Sequence, residues 1–286
     1  MMLLNYPFML PAFCMALVLT GIHTYFGFHV VKRGVIFVDL ALSQIAALGA
    51  AVAIGFDFGL HSPRLAFLTS AGFTLSGAVL FAFFRRSRKS ASMEALIGIT
   101  YAGAMALSLL VLEKSATGNE HVREMLIGNV LTVPWRTVVE TAVLYCLIGL
   151  IHFTFRKKFF LITKSPDRAE SSGMNIWFWD FLFYATFGIV VTSSVKIAGV
   201  LMVFSLLTIP SVAAAFSVHG SARQVWFGWI FGTVGCTAGL EASLRADTSA
   251  GPTIIFIFIL MLVVCGFRRI IGNRRMEHPD LQEPSR

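Results

Sequence analysis

The sequence predicts an all-α fold, a polytopic transmembrane helical bundle of eight or nine spans with the N-terminus outside and the C-terminus cytoplasmic. Two observations carry this reading. Hydrophobic residues make up 56% of the 286-residue chain and charged residues 13%, against roughly 45–50% and 25% in soluble globular domains. The apolar residues also run in stretches of about 20, the length that crosses a bilayer at ~1.5 Å per residue. The net charge of +8 does not point to nucleic acid. The basic residues sit in short clusters between the apolar stretches, as membrane topology requires.

Nine candidate spans follow in order: 7–28, 35–56, 64–84, 93–113, 135–155, 177–193, 195–218, 222–244 and 252–267. The first stretch lacks the basic flank of a cleaved signal and reads as a retained span. The junction at Ser194 leaves almost no loop, so the sixth and seventh spans form a tight or broken pair and the count stays at eight or nine. Orientation comes from the 23 lysines and arginines. Most fall on the side of Lys32, Arg33, Arg85, Arg156–Lys158 and Arg268, which is therefore the inner side. An odd number of crossings keeps the basic C-terminal cluster there. The membrane domain covers 1–272, and the polar tail 273–286, with Pro279 and Pro284, is expected to be disordered. Cys14, Cys146, Cys236 and Cys265 are scattered through the spans without a CxxC, so they read as structural thiols.

The second span places Asp39, Ser43 and Gln44 inside an apolar stretch. A carboxylate in hydrocarbon is costly and marks a functional site by default. Asp39 and Ser43, four apart, share a helix face, and Gln44 lies about 100° further round. Ala46, Gly49, Ala50 and Ala53 extend a stripe that lets helices approach closely. Two readings stay open: a polar point on a translocation pathway, or a carboxylate near the cytoplasmic end reaching towards Lys32 or Arg33. His23, late in the first span, is a second pathway candidate, although a lone histidine also serves as hydrogen-bonded packing. Glu140 and Asp180, near span ends, read as interfacial, and Glu241 should pair with Arg245 at i+4. Pro210 interrupts the seventh span and is a candidate gating kink, its freed backbone group resatisfied by Ser205, Thr208, Ser211 or a neighbouring helix. In the longest inner loop, 156–175, Ser165 reads as an N-cap, Pro166 as the first helical residue and Gly173 as the stop. That gives a short docking helix on the cytoplasmic face. The chain contains neither GxxxxGK[ST] nor HExxH nor GxSxG, so neither an ATPase nor a hydrolase site is legible.

Taken together in register, RGVIFVDLALSQIAALG (33–49), EALIGITYAGAMALSLLVL (94–112), EMLIGNVLTV (124–133), SPDRAESSGM (165–174), KIAGVLMVFSLLTIPSVAAAF (196–216) and DTSAGPTII (247–255) resemble the permease subunits of metal-ion ABC transporters, the ABC-3 family of the zinc, manganese and iron type. The resemblance implies a non-catalytic, multi-pass subunit of the cell inner (cytoplasmic) membrane that imports a divalent transition metal ion. It implies no cofactor bound by this chain, with ATP on a partner. The implied partners are a cytoplasmic ABC ATPase, an extracytoplasmic solute-binding protein facing outer loops such as 118–133, membrane lipid and a second permease copy. Ser165, Pro166, Asp167, Arg168, Ala169 and Gly173 resemble the segment that contacts the ATPase. The second span departs from the family's G-D-A-L-S-H. Aligned on Ser43 and Gly49, Asp39 falls at the glycine, Leu40 at the aspartate and Gln44 at the histidine. An amide is a weak ligand for a transition metal, so a metal chelate or other small solute stands as the alternative cargo. An intramembrane enzyme would need convergent ionisable groups, whereas Asp39, Glu140, Asp180 and Glu241 fall at different depths.

Overall fold

A computed structural model describes residues 9–55, 62–86, 93–113, 128 and 130–277. All elements among them are helical. The long helices are α1 (Met9–Arg33), α2 (Val38–Gly55), α3 (Pro63–Arg86), α4 (Met93–Leu112) and α5 (Trp135–Thr154). Two short helices follow, α6 (Arg156–Lys164) and α7 (Pro166–Ser171), then four more long ones: α8 (Ile176–Ala198), α9 (Val200–Ser217), α10 (Ser221–Ala246) and α11 (Ala250–Glu277). Seven of these, α1 to α5 with α8 and α9, are long and apolar enough to cross a membrane. The two remaining expected spans are helical but fall short of that standard. α10 is diluted by four glycines, and the apolar part of α11 is the shorter stretch Ala250–Gly266. The last helix also runs past residue 273 into the tail, while 278–286, and all of the loop 118–133 expected outside except Gly128 and 130–133, lie outside the described residues.

The break between the sixth and seventh spans is not at Ser194. Ser193 and Ser194 sit inside α8, where their hydroxyls donate back to the carbonyls of Ile189 and Val190. The chain turns instead at Gly199, with φ +78° and ψ 158°, a backbone region that side chains with a Cβ avoid.

Two groups of helices form the bundle. α2 packs between α3 and α4, while α1, α9, α10 and α11 pack on one another. α8 joins the two, lying along α3 and reaching α1 and α2. Within a membrane there is no hydrophobic drive between helices, so close approach and hydrogen bonds do the work. On α10, Gly228 and Gly232 face Thr24 and Thr20 of α1, and Gly235 and Gly239 face Phe258 and Ile254 of α11. These contacts set α10 antiparallel to both neighbours. By the same reading α8 runs antiparallel to α3, through Thr74–Thr192 and Arg85–Asp180. It is also antiparallel to α5, through Tyr145–Ser193 and His152–Thr186. The ends of α1 and α3 that carry Arg33 and Arg85 therefore share one face of the bundle with the start of α8.

The small-residue stripe of α2 is used at Gly49. A Cβ there would lie 2.7 Å from the Ser70 Cα and 2.8 Å from the Thr69 carbonyl oxygen of α3. Gly49→Leu is expected to part these helices at a cost of about 1–3 kcal/mol, read as a lowered thermal midpoint in detergent. Gly72→Leu, on α3 where a Cβ meets nothing within 4 Å, should leave the midpoint unchanged.

Candidate functional site

α2 carries its polar residues inward. Asp39 and Ser43 are fully buried and Gln44 is 8% exposed. Neither carboxylate oxygen of Asp39 and not the Ser43 hydroxyl has a hydrogen-bond partner among the described residues. An orphaned carboxyl in a protein interior is costly. Asp39 does not pair with Arg33, whose Nε and Nη1 go to Thr163 and Asp180. The structure thus brings Asp39, Ser43 and Gln44 onto one helix but does not bring His23 to them, since α1 does not pack along α2. His23, also fully buried, lies beside α5, its ring meeting the edge of Tyr145 with centroids 6.3 Å apart. Its Nδ1–H donates to the Leu19 carbonyl at 2.8 Å, which leaves Nε2 as an unpartnered acceptor. No group of three or more His, Cys, Asp or Glu among the described residues is arranged to hold a metal ion.

Pro210 lies buried within α9, its ring against Gly232 and its carbonyl against Gly228 of α10. None of the three nearby hydroxyls resatisfies the Leu206 carbonyl that its missing N–H leaves open. Ser205 donates to Leu201, Thr208 to Phe204, and Ser211 across to Thr24 of α1.

The loop 156–175, expected on the inner side, folds as two helices rather than one. Phe159 and Ile162 bury α6 against the bundle. Pro166 opens α7, but Ser165 makes no side-chain cap, and only its carbonyl receives Ala169 N–H, at 3.1 Å. Gly173, with φ +75°, closes the helix in a Schellman arrangement: Met174 N–H donates to the Ala169 carbonyl and Gly173 N–H to that of Glu170. Ala169 is buried while Asp167, Arg168 and Glu170 are exposed. A cleft of about 610 Å³ opens beside them, reaching Arg85 and Asn175.

At that face lies a charge cluster that the sequence did not disclose. Asp180, expected at the interface, is 1% exposed. Its two oxygens take Arg33 at 2.9 Å and Arg85 at 3.1 Å. Arg33 is itself fully buried, its guanidinium 3.9 Å from the Phe183 ring centroid. Arg33 Nε donates to Thr163 of α6 at 3.0 Å, and the same hydroxyl bonds His29 Nδ1 at 2.7 Å. Arg85 also donates to Tyr184 at 3.3 Å. A second polar chain runs nearby. Thr186 donates to the Leu182 carbonyl and so accepts His152 Nε2–H, which leaves His152 Nδ1 to accept the Tyr25 hydroxyl at 3.1 Å. One signal for the cluster was present. Asp180 is an acid in an apolar span with no cation three or four residues away, so its partner had to come from another helix. The pair Arg245–Glu241 forms at 2.8 Å, and Glu140 pairs with Arg136 on the exposed surface.

A family model described as the ABC 3 transport family matches residues 5–269. The manganese transport system membrane protein MntC of Listeria monocytogenes is 23% identical over 268 residues, covering 92% of this chain and 91% of the relative. The high-affinity zinc uptake system membrane protein ZnuB of Haemophilus influenzae is 24% identical over 259 residues, covering 91% and 97%. Among solved structures, PsaBC from Streptococcus pneumoniae in complex with Fab superposes with a TM-score of 0.77 at 19% identity, covering 92% of each chain.

Removing one member of a buried ion pair strands the other and costs about 3–5 kcal/mol. Asp180→Asn should therefore lower the thermal midpoint of the purified protein sharply. Thr163→Val, which removes one bond to a charged group, should cost a smaller ~1–3 kcal/mol.

Proposed function

The chain belongs to the ABC 3 transport family, and from that membership we propose that it is the membrane-spanning permease subunit of an ATP-driven importer for a divalent transition metal. The observation that carries this is a family match spanning residues 5–269, nearly the whole chain. Manganese and zinc both appear among the relatives' names, so the cargo class is a transition metal ion of that range. The subunit itself does no covalent chemistry. ATP is hydrolysed on a cytoplasmic ABC ATPase that docks on α6 and α7, a solute-binding protein delivers cargo at the outer face, and a second permease copy completes the pathway. Nine crossings in the cytoplasmic membrane, N-terminus outside and C-terminus inside, agree with the antiparallel neighbours of α1, α3, α8 and α10. They also bring Arg33, Arg85 and the basic start of α6 to one side.

Asp39, Ser43 and Gln44 form the polar point of the pathway on α2, with His23 on α1 and the Pro210 bend of α9 as further elements. Support for α2 comes from its orphaned polar atoms: a buried carboxyl with no partner among the described residues carries a cost, and a passing cation would supply the missing partner. The missing histidine at Gln44 keeps a metal chelate as the second reading of the cargo.

Reconstitution with the ATPase and binding protein in vesicles tests both. ATP-dependent uptake of manganese or zinc as free ions is expected, and Asp39→Asn should lower it tenfold or more without dissolving the complex. Uptake without the ATPase would overturn the permease assignment. Full uptake by Asp39→Asn would remove α2 from the pathway, and uptake of a chelate alone would change the cargo.

A further inference from the structure

Between α1, α5 and α10 runs an open groove of about 640 Å³, apart from α2 and bordered at one end by Arg156 and Phe160 of α6. Its floor carries Gly21 of α1 and Gly149 of α5, and a Cβ built on either meets nothing within 4 Å. These glycines do not serve helix contact; they leave space. Trp229 of α10 forms one wall, held by an Nε1–H bond to the Gly21 carbonyl at 2.8 Å, and Trp226 meets it edge-on at 5.0 Å. Trp226 is 62% exposed and Cys146 is also exposed, so the groove opens sideways out of the bundle. The Tyr25 and Tyr145 hydroxyls that border it are bonded to His152 and Ser193, which leaves its surface dry. Arg156 stands at one end, its guanidinium 4.3 Å from the Phe153 ring centroid.

We propose that this groove binds one anionic phospholipid, with the phosphate on Arg156 and an acyl chain over Gly149 and Gly21. Three features fit that occupant. A lateral opening at span depth faces lipid hydrocarbon, and a dry wall suits an acyl chain rather than a polar cargo. The groove follows α5 from Ala142 to the helix end at Thr154, about 18 Å at ~1.5 Å per residue, which matches one leaflet of a ~30 Å core. The cation stands at one end only, next to Lys157 and Lys158, and guanidinium matches phosphate through paired hydrogen bonds. The inference rests on the membrane reading above but on neither the cargo nor the pathway.

Native mass spectrometry of the detergent-purified protein, titrated with phosphatidylglycerol or phosphatidylcholine, tests it. One phosphatidylglycerol per chain should be retained at least tenfold better than phosphatidylcholine. Arg156→Ala should erase the preference, and Gly149→Leu should abolish retention with an unchanged thermal midpoint, since its side chain enters empty space. Gly21→Leu serves the same purpose if Gly149→Leu does not fold. Equal retention of the two lipids, or retention by the filled-groove variants, overturns the proposal. So does a Cys146–Cys146 cross-link between copies in membranes, which would make the groove an interface. A chain that stays soluble without detergent and binds neither lipid would instead overturn the membrane reading itself.

Discussion

The bundle depends most on one carboxylate shared by two guanidiniums. Asp180 opens α8, Arg33 ends α1, and Arg85 stands at the end of α3; their contacts at 2.9 and 3.1 Å fasten three helix ends from distant parts of the chain. In a water-poor interior the net worth of such a cluster is modest, because desolvation offsets the attraction. Its consequence is specificity. A slide of any one helix by a turn would leave a buried charge without a counterpart, an outcome dearer than the cluster is favourable. Arg33 is doubly confined, since Phe183 covers one face of its guanidinium and Thr163 takes Nε.

Elsewhere the helices are held by close approach. The α10 glycines admit Thr20, Thr24, Ile254 and Phe258, and Gly49 lets α2 lie against the α3 backbone. These contacts lack direction in the sense that the ion cluster has it; they set distance, whereas the cluster and the Tyr145 and His152 hydrogen bonds set register. The division fits a bilayer, where burying apolar side chains between helices gains little over leaving them in lipid.

The sequence made the helices legible and left their partners hidden. Apolar runs and basic clusters located the nine long helices among the described residues, because span length and charge flanks are local properties. The α8–α9 break was misplaced, since Ser193 and Ser194 looked like a junction while their hydroxyls are in fact satisfied within α8; the backbone demand falls on Gly199. Ser165 had the right residue type for a cap and does not make one. Asp180 looked interfacial because its partners lie 147 and 95 positions away in sequence, distances at which no spacing rule operates. Of the α2 site, the residues were legible and their isolation from His23 was not, since that depends on which helices adjoin.

The two sites are nevertheless joined by contiguous contacts. Thr163 of α6 holds Arg33; Arg33 and Arg85 hold Asp180; Arg85 stands on α3, whose Thr69 and Ser70 lie against Gly49 of α2. Asp39 sits ten residues before Gly49 on that helix, buried with its oxygens unpartnered among the described residues. The ion cluster anchors α3 and α8, and both pack on α2. Movement of α6 against the bundle would bear on Thr163 and Arg33 and, through Asp180 and Arg85, on α8 and α3 alike. Because breaking the cluster strands a buried charge, it opposes small displacements of these helix ends. That is the mechanical character a subunit needs if events on its inner face are to move a distant buried site between defined states.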